Sequence, residues 1–261
     1  MLSYQHIYHA GNLADVQKHA LLCAMLGYMT RKDKPLSYLE THAGRGLYQL
    51  DAPEAVKTGE AAAGIDLIQS RGLLPQEHPY AQALARVRGA HGARAYPGSP
   101  VLAATCLRPL DRLHLAELHP QENAALTRAM AGTGAHIVRQ DGFAMAQAIC
   151  PPDPRRGLML IDPSYEVKAD YDAIPKTIAK LHRKWNVGVI ALWYPILTSG
   201  AHGPMLKALE ALNLPKVLRH ELTFPPVRAG HRMIGTGMFI LNTPWGTEAD
   251  AQALDRMFAA L

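Results

Sequence analysis

The chain has 261 residues, 48% apolar and 19% charged, with a formal net charge of +5 and three cysteines. That balance belongs to a folded protein with a sizeable core, and it excludes a disordered chain, a disulfide-stapled scaffold and a membrane helix of roughly 18 apolar residues. The start Met-Leu-Ser-Tyr-Gln-His-Ile-Tyr-His has neither the basic opening nor the apolar middle of a secretory signal, so a cytoplasmic protein without a membrane partner is expected.

Asn12-Leu-Ala-Asp15 resembles a capping box and opens a helix through about Met29, which Lys34-Pro35 stops. Residues 36–40 read as a first strand, running into the glycine turn Thr41-His42-Ala43-Gly44-Arg45-Gly46. Further strands are expected over 113–117, 136–141, 158–162 and 187–193, with helices over 121–132, 142–149, 171–184 and 202–212. A last pair, 216–224 and 233–241, should form a hairpin-like edge. Alternating strands and helices imply an α/β fold with a mainly parallel, doubly wound sheet. The stretch 51–97 carries helical signals and no strand-like run, so it reads as a small helical subdomain inserted into a main domain of 1–50 and 98–261. Its five basic and five acidic residues balance, so it offers no electrostatic clamp. Lys176, Lys180, Arg183 and Lys184 share a helix face, and a solvated surface is the favoured reading of them.

The chemistry concentrates at strand ends. Asp162-Pro163-Ser164-Tyr165 follows the apolar run 157–161, at the carboxyl end of a strand, where open α/β sheets place ligands. An acid there can accept a proton from an exocyclic amine, the stiff backbone offers a carbonyl, and an aromatic ring can stack on a flat base. A proline turn with a capping Asp is the plain alternative. Glu40, Glu117 and Asp141-Gly142 close other strands in the same way. Each acid singly is more readily a helix cap. Together they describe a cleft for a ligand with an amine, a ribose and an adenine, and S-adenosyl-L-methionine has all three. Gly44-Arg45-Gly46 lacks the third glycine of a dinucleotide fingerprint, which disfavours a nicotinamide enzyme. Thirteen histidines show no metal-ligand spacing, so no metal is expected.

Six segments carry a wider resemblance: Tyr4-x-His6-x-x-His9-Ala10-Gly11-Asn12-x-Ala14-Asp15-x-x-Lys18-His19, Thr41-His42-Ala43-Gly44-x-Gly46-x-Tyr48, Tyr96-Pro97-Gly98-Ser99-Pro100, Glu117-Leu118-His119-Pro120, Asp141-Gly142-Phe143 and Ala191-Leu192-Trp193-Tyr194-Pro195. With them the chain resembles the RlmJ family of bacterial large-subunit rRNA adenine-N6 methyltransferases over nearly its whole length. The resemblance implies a Rossmann-like class I methyltransferase that uses S-adenosyl-L-methionine on adenine 2030 of 23S rRNA, as a monomer. It places Lys18, His19, His42, Ser99, Glu117, Asp141, Gly142 and Asp162 around the cofactor. It places Tyr4, His6, Lys18 and Tyr165 at the target base, with Asp162, Pro163 and Tyr165 as the catalytic group. The family usually carries a second proline where this chain has Ser164, which removes a restraint on Pro163. Rival readings are a DNA adenine-N6 or protein glutamine methyltransferase, and a non-catalytic RNA-binding protein.

Overall fold

The computed structural model describes residues 4–226 and 230–261; the first three residues of the N-terminal stretch discussed above lie outside them. A 3-10 turn, His6–Tyr8, leads into α1, Leu13–Met29. The Asn12 side chain accepts from the Asp15 backbone N–H at 2.8 Å, one half of the expected box. The Asp15 carboxylate turns back to the Gly11 N–H instead, at 2.9 Å. Helix α1 is apolar almost all round and buried from Leu13 to Leu26, as a helix packed on every side must be. Its end is held by two arginines. Arg156 donates to the Met29 carbonyl, and Arg108 donates to those of Thr30, Lys32 and Lys34.

The strands are β1 (Ser37–Glu40), β2 (Leu47–Gln49), β3 (Ala95–Pro97), β4 (Arg112–Ala116), β5 (His136–Val138), β6 (Gly157–Ile161), β7 (Val189–Leu197), β8 (Leu218–Thr223) and β9 (Met233–Leu241). Seven of them make one sheet in the order β5-β4-β1-β6-β7-β9-β8. Pairs from β5 to β7 are parallel, and β9 runs antiparallel to both β7 and β8. Glu40 lies opposite Leu115 and Leu160, so β1, β4 and β6 end together at one edge. The chain winds outward through β4 and β5, then returns across β1 to β6. The β1–β6 boundary is therefore the topological switch point, where a crevice opens beyond the carboxyl ends.

Side chains alternate across the sheet as a strand period of two demands. Tyr38, Leu158, Leu160, Val189, Ala191, Met238 and Ile240 face one core with α1. That core also holds α4 (Pro79–His91), α5 (Ser99–Cys106), α6 (Pro120–Ala129) and α10 (Thr247–Ala259). Leu39, Met159, Ile161, Ile190, Leu192, Tyr194 and Phe239 face the other. Their partners there are α7 (Gly142–Ile149), α8 (Asp170–Lys184) and α9 (His202–Glu210). All five residues of β6 are buried, the reason its sequence is a continuous apolar run.

Four features depart from the sequence expectation. Strands β2 and β3 pair antiparallel, Tyr48 opposite Tyr96, so the stretch 51–97 ends in a strand. Between them lie α2 (Pro53–Thr58), a π-helical turn (Ala62–Asp66), α3 (Leu67–Ser70) and α4. The edge strand β5 stops at Val138, and Asp141 caps α7 by accepting from the Ala144 N–H at 2.8 Å. The last two strands pair as expected, but β9 is internal and only β8 is an edge. Helix α10 was not expected. No described helix is long and apolar enough to cross a membrane.

Candidate active site

A cavity of about 660 Å³ opens at the switch point. Helix α1 supplies one wall, the glycine turn after β1 a second, the segment after β6 a third, and β7 with residues 230–233 the last. Tyr4, His6, Lys18, His19, His42, Ser99, Glu117, Asp141, Gly142, Asp162, Pro163 and Tyr165 all line it. Residues far apart in sequence are thus gathered in one place by the strand ends. Glu40 is the exception among the four acids.

Lys18 and Asp162 form the centre. The Lys18 ammonium donates to Asp162 Oδ2 at 2.6 Å and lies 3.0 Å from Asp15 Oδ1. Burial opposes the lysine charge, yet the Asp162 and Asp15 carboxylates outweigh it and hold the Lys18 pKa above the ordinary lysine range. Burial likewise tends to raise the Asp15 pKa, and His6 and Lys18 chiefly outweigh it and keep it well below the usual carboxylate range. His6 joins Asp15 Oδ2 through Nε2 at 2.9 Å and the Tyr4 hydroxyl through Nδ1 at 2.9 Å. Tyr4 stacks on His9, ring centroids 5.6 Å apart.

In the segment after Asp162, Tyr165 sits in the left-handed region at φ 57°. Its ring is only 8% exposed. It packs on Tyr171 at 4.8 Å and Trp193 at 6.0 Å. Tyr165 therefore borders the cavity as part of its apolar wall. Trp193 is a half-buried ring of the cavity, with the Lys18 ammonium 5.3 Å from its centroid and its indole N–H on Thr236 Oγ1 at 2.8 Å.

The opposite wall is organised by backbone. Gly44 has φ +61°, which favours glycine. Its N–H donates to Glu117 Oε2 at 2.8 Å, and the His119 N–H donates to Oε1 at 2.7 Å. Burial raises the Glu117 pKa against these two bonds. Arg45 grips Glu122 through two bonds of 2.8 and 2.7 Å, fixing the turn to α6. Gly142 has no room for a side chain: a Cβ there would collide with the Thr41 carbonyl. Glu40 is fully buried behind this wall, accepting from Tyr38 at 2.7 Å and from the Ser99 hydroxyl. Ser99 is thus the first residue of α5, with Gly98 as the cap. Burial pushes the Glu40 pKa up to about 8. Burial also pulls His19 down to about 3 and His42 to about 4, so both are neutral at pH 7.

This donor set selects a ligand. Glu117, Asp141 and Asp162 present acceptors to hydroxyls and amines. The glycine turn is followed by β2 and not by a helix, so no helix N-terminus meets a pyrophosphate there. A cofactor with ribose, adenine and ammonium groups but no phosphate fits such walls, and the volume suits a cofactor together with a flat base. Asp15, read in the sequence only as part of a capping box, and Trp193 had no role assigned in the site. The first is one helical turn from Lys18, and that spacing was the available signal.

An α/β sheet with one antiparallel strand inserted beside its last parallel one, and an acceptor-lined crevice at its switch point, has the Rossmann-like architecture of class I methyltransferases. The family model described as "Ribosomal RNA large subunit methyltransferase D, RlmJ" matches residues 33–260, and the chain belongs to that family. It is 40% identical over 250 residues to "Ribosomal RNA large subunit methyltransferase J" of Escherichia coli, covering 95% of this chain and 89% of that one. It is 38% identical over 257 residues to the protein of the same name from Haemophilus influenzae, covering 97% and 92%. A crystal structure of a Legionella pneumophila protein is similar with a TM-score of 0.85 at 35% identity, over 95% of this chain and 92% of that one.

Proposed function

We propose that the chain methylates N6 of a single adenine in large-subunit ribosomal RNA, adenine 2030 of 23S rRNA, acting as a monomer in the cytoplasm. The observation that carries this reading is the Asp162 carboxylate at the end of β6, at the switch point of a cavity with room for a base. The names of the Escherichia coli and Haemophilus influenzae relatives support ribosomal RNA as the substrate.

When bound, S-adenosyl-L-methionine supplies an electrophilic methyl group on a sulfonium. The protein's part is to hold the nucleophile. Adenine N6 is weak because its lone pair is delocalised into the ring. A hydrogen bond from its amine to Asp162, and a second to the Pro163 carbonyl, favour a more tetrahedral nitrogen, and alignment supplies much of the remainder. As the carbon–nitrogen bond forms and the carbon–sulfur bond breaks, N6 becomes acidic. Its proton leaves through Asp162 to water, which needs no strong base. Glu117 would take the ribose hydroxyls, Asp141 the adenine amine of the cofactor, with Gly142, His42, His19 and Ser99 completing that wall. Tyr4 and His6 would border the flipped base, between Lys18 and the Tyr165–Trp193 side.

Mass spectrometry of rRNA from a deletion strain, with and without the gene restored, tests this reading. One N6-methyladenine should vanish and return. An unchanged rRNA would overturn it.

A further inference from the structure

In this structure one of the two Asp162 carboxylate oxygens that the target amine could use is already taken. The Lys18 ammonium sits 2.6 Å from Asp162 Oδ2. We infer that Asp15 is the positioning residue that frees it: the ammonium retreats to Asp15 when the amine arrives at Asp162. The inference rests on the adenine-N6 reading above.

Three observations carry it. First, Lys18 and Asp15 are 4% and 1% exposed, so an ammonium that left Asp162 without another counter-ion would be a buried, unpaired charge, a costly state. Asp15 Oδ1, at 3.0 Å, removes that obstacle. An ammonium has three protons, so it can shift weight between two carboxylates without losing both. Second, Asp15 is held rigidly. Its Oδ2 accepts from the Gly11 N–H and lies 2.9 Å from His6 Nε2, while its own N–H is bound by Asn12. Only Oδ1 is left for Lys18, with the neutral His19 ring farther off at 3.8 Å. Third, the two residues are three apart on α1, so the shift needs side-chain rotation alone. The Trp193 ring, 5.3 Å from the ammonium, lines the way.

A purely structural Asp15, capping the start of α1, is the rival. The discriminating measurement is equilibrium binding, with S-adenosylhomocysteine present, of two rRNA fragments that differ only at the target base: adenine, or purine lacking the amino group. The wild type should prefer adenine by about tenfold, the ratio that one hydrogen bond of ordinary net strength sustains. Asp15→Asn keeps the acceptor for Gly11 but loses the charge. It should bind both fragments alike, with cofactor affinity within about twofold of wild type. Lys18→Met removes the competitor and should keep or enlarge the preference, alone and combined with Asp15→Asn. A wild-type preference retained in Asp15→Asn would overturn the inference. So would a preference lost in Lys18→Met, which decides the matter if Asp15→Asn does not fold. Wild-type methyl transfer to the adenine fragment is measured alongside. Its absence would bring down the functional reading and this inference together; its presence with an unchanged Asp15→Asn preference would remove the inference alone.

Discussion

The Tyr165 hydroxyl donates to the Trp193 carbonyl at 2.6 Å, tying the segment after β6 to the neighbouring strand β7. A bulky residue at φ 57° is unfavourable in isolation, and this bond with the Tyr171 packing holds it there. Burial raises the Tyr165 pKa, so the hydroxyl stays a donor at any working pH. Tyr165→Phe should cost about 1 kcal/mol of stability, since one hydrogen bond is lost. Methyl transfer should slow more than cofactor binding weakens, because Asp162 and Pro163 precede the loosened residue. Urea unfolding and single-turnover methylation check the two halves; unchanged turnover would remove Tyr165 from the positioning of the segment.

Asp162→Ala should lower methyl transfer on the order of a hundredfold or more, as loss of one preorganised active-site group does. Lys18 keeps Asp15 as its counter-ion in this variant, so the fold should tolerate it. Cofactor affinity, read by calorimetry, should largely survive. Methylation within tenfold of wild type would defeat the role given to Asp162.

Glu117→Ala should weaken cofactor binding by on the order of 1.5–3 kcal/mol, the range for hydrogen bonds to a charged group. The same change frees the Gly44 and His119 N–H groups, so the glycine turn should loosen as well. RNA affinity should move much less. Calorimetry showing full cofactor affinity would take Glu117 out of the site.

Glu40 gives the protein a pH dependence of stability. Its folded pKa, pushed up by burial to about 8, exceeds the ordinary value of 4.5. The folded state thus keeps a proton that the unfolded state gives up, and stability falls as pH rises. This contribution is fully present below pH 4.5 and is lost as pH climbs through about 8. Glu40→Gln removes the titration. Its melting temperature relative to wild type should rise steadily between about pH 5 and 9. A constant difference across that window would show that Glu40 is ionised in the fold throughout.

Continuous apolar runs made β6 and β7 plain in the sequence, because both faces of a central parallel strand are buried. Strands β2 and β3 were not visible: each has three residues, and their pairing joins positions nearly fifty apart. Helix α10 buries Ala251, Leu254 and Met257, a thin stripe that repeats every three residues and is easily passed over. Of the four acids, Glu117, Asp141 and Asp162 line one cavity and Glu40 does not, so alike letters have different fates. Glu117 reaches the cavity from the end of β4 beside the edge strand. Glu40 ends the central β1 and is sealed behind Ser99 and Tyr38. Spacing also cannot tell how a ring packs, and Tyr165 borders the cavity against Tyr171 and Trp193.

Ser164→Pro should be tolerated and should raise turnover. The replacement restores the residue expected of the family and biases Pro163 towards the extended region. It also restricts the unfolded chain, worth roughly 0.4–1 kcal/mol where the native dihedrals suit proline. Proline deletes an N–H, yet among the described residues the Ser164 N–H donates no hydrogen bond. The hydroxyl accepts only a long one, from the Glu166 N–H at 3.5 Å. Little is therefore given up at that position. The neighbouring Tyr165 keeps its own anchor at Trp193, so the segment should retain its shape. Single-turnover methylation of an rRNA fragment by both proteins, with thermal unfolding of each, decides the matter. A higher melting temperature with equal or faster transfer is the expected pair. A large loss of rate in a folded variant would mean that the loop has been rebuilt around Ser164, with the serine hydroxyl needed for the geometry of Pro163.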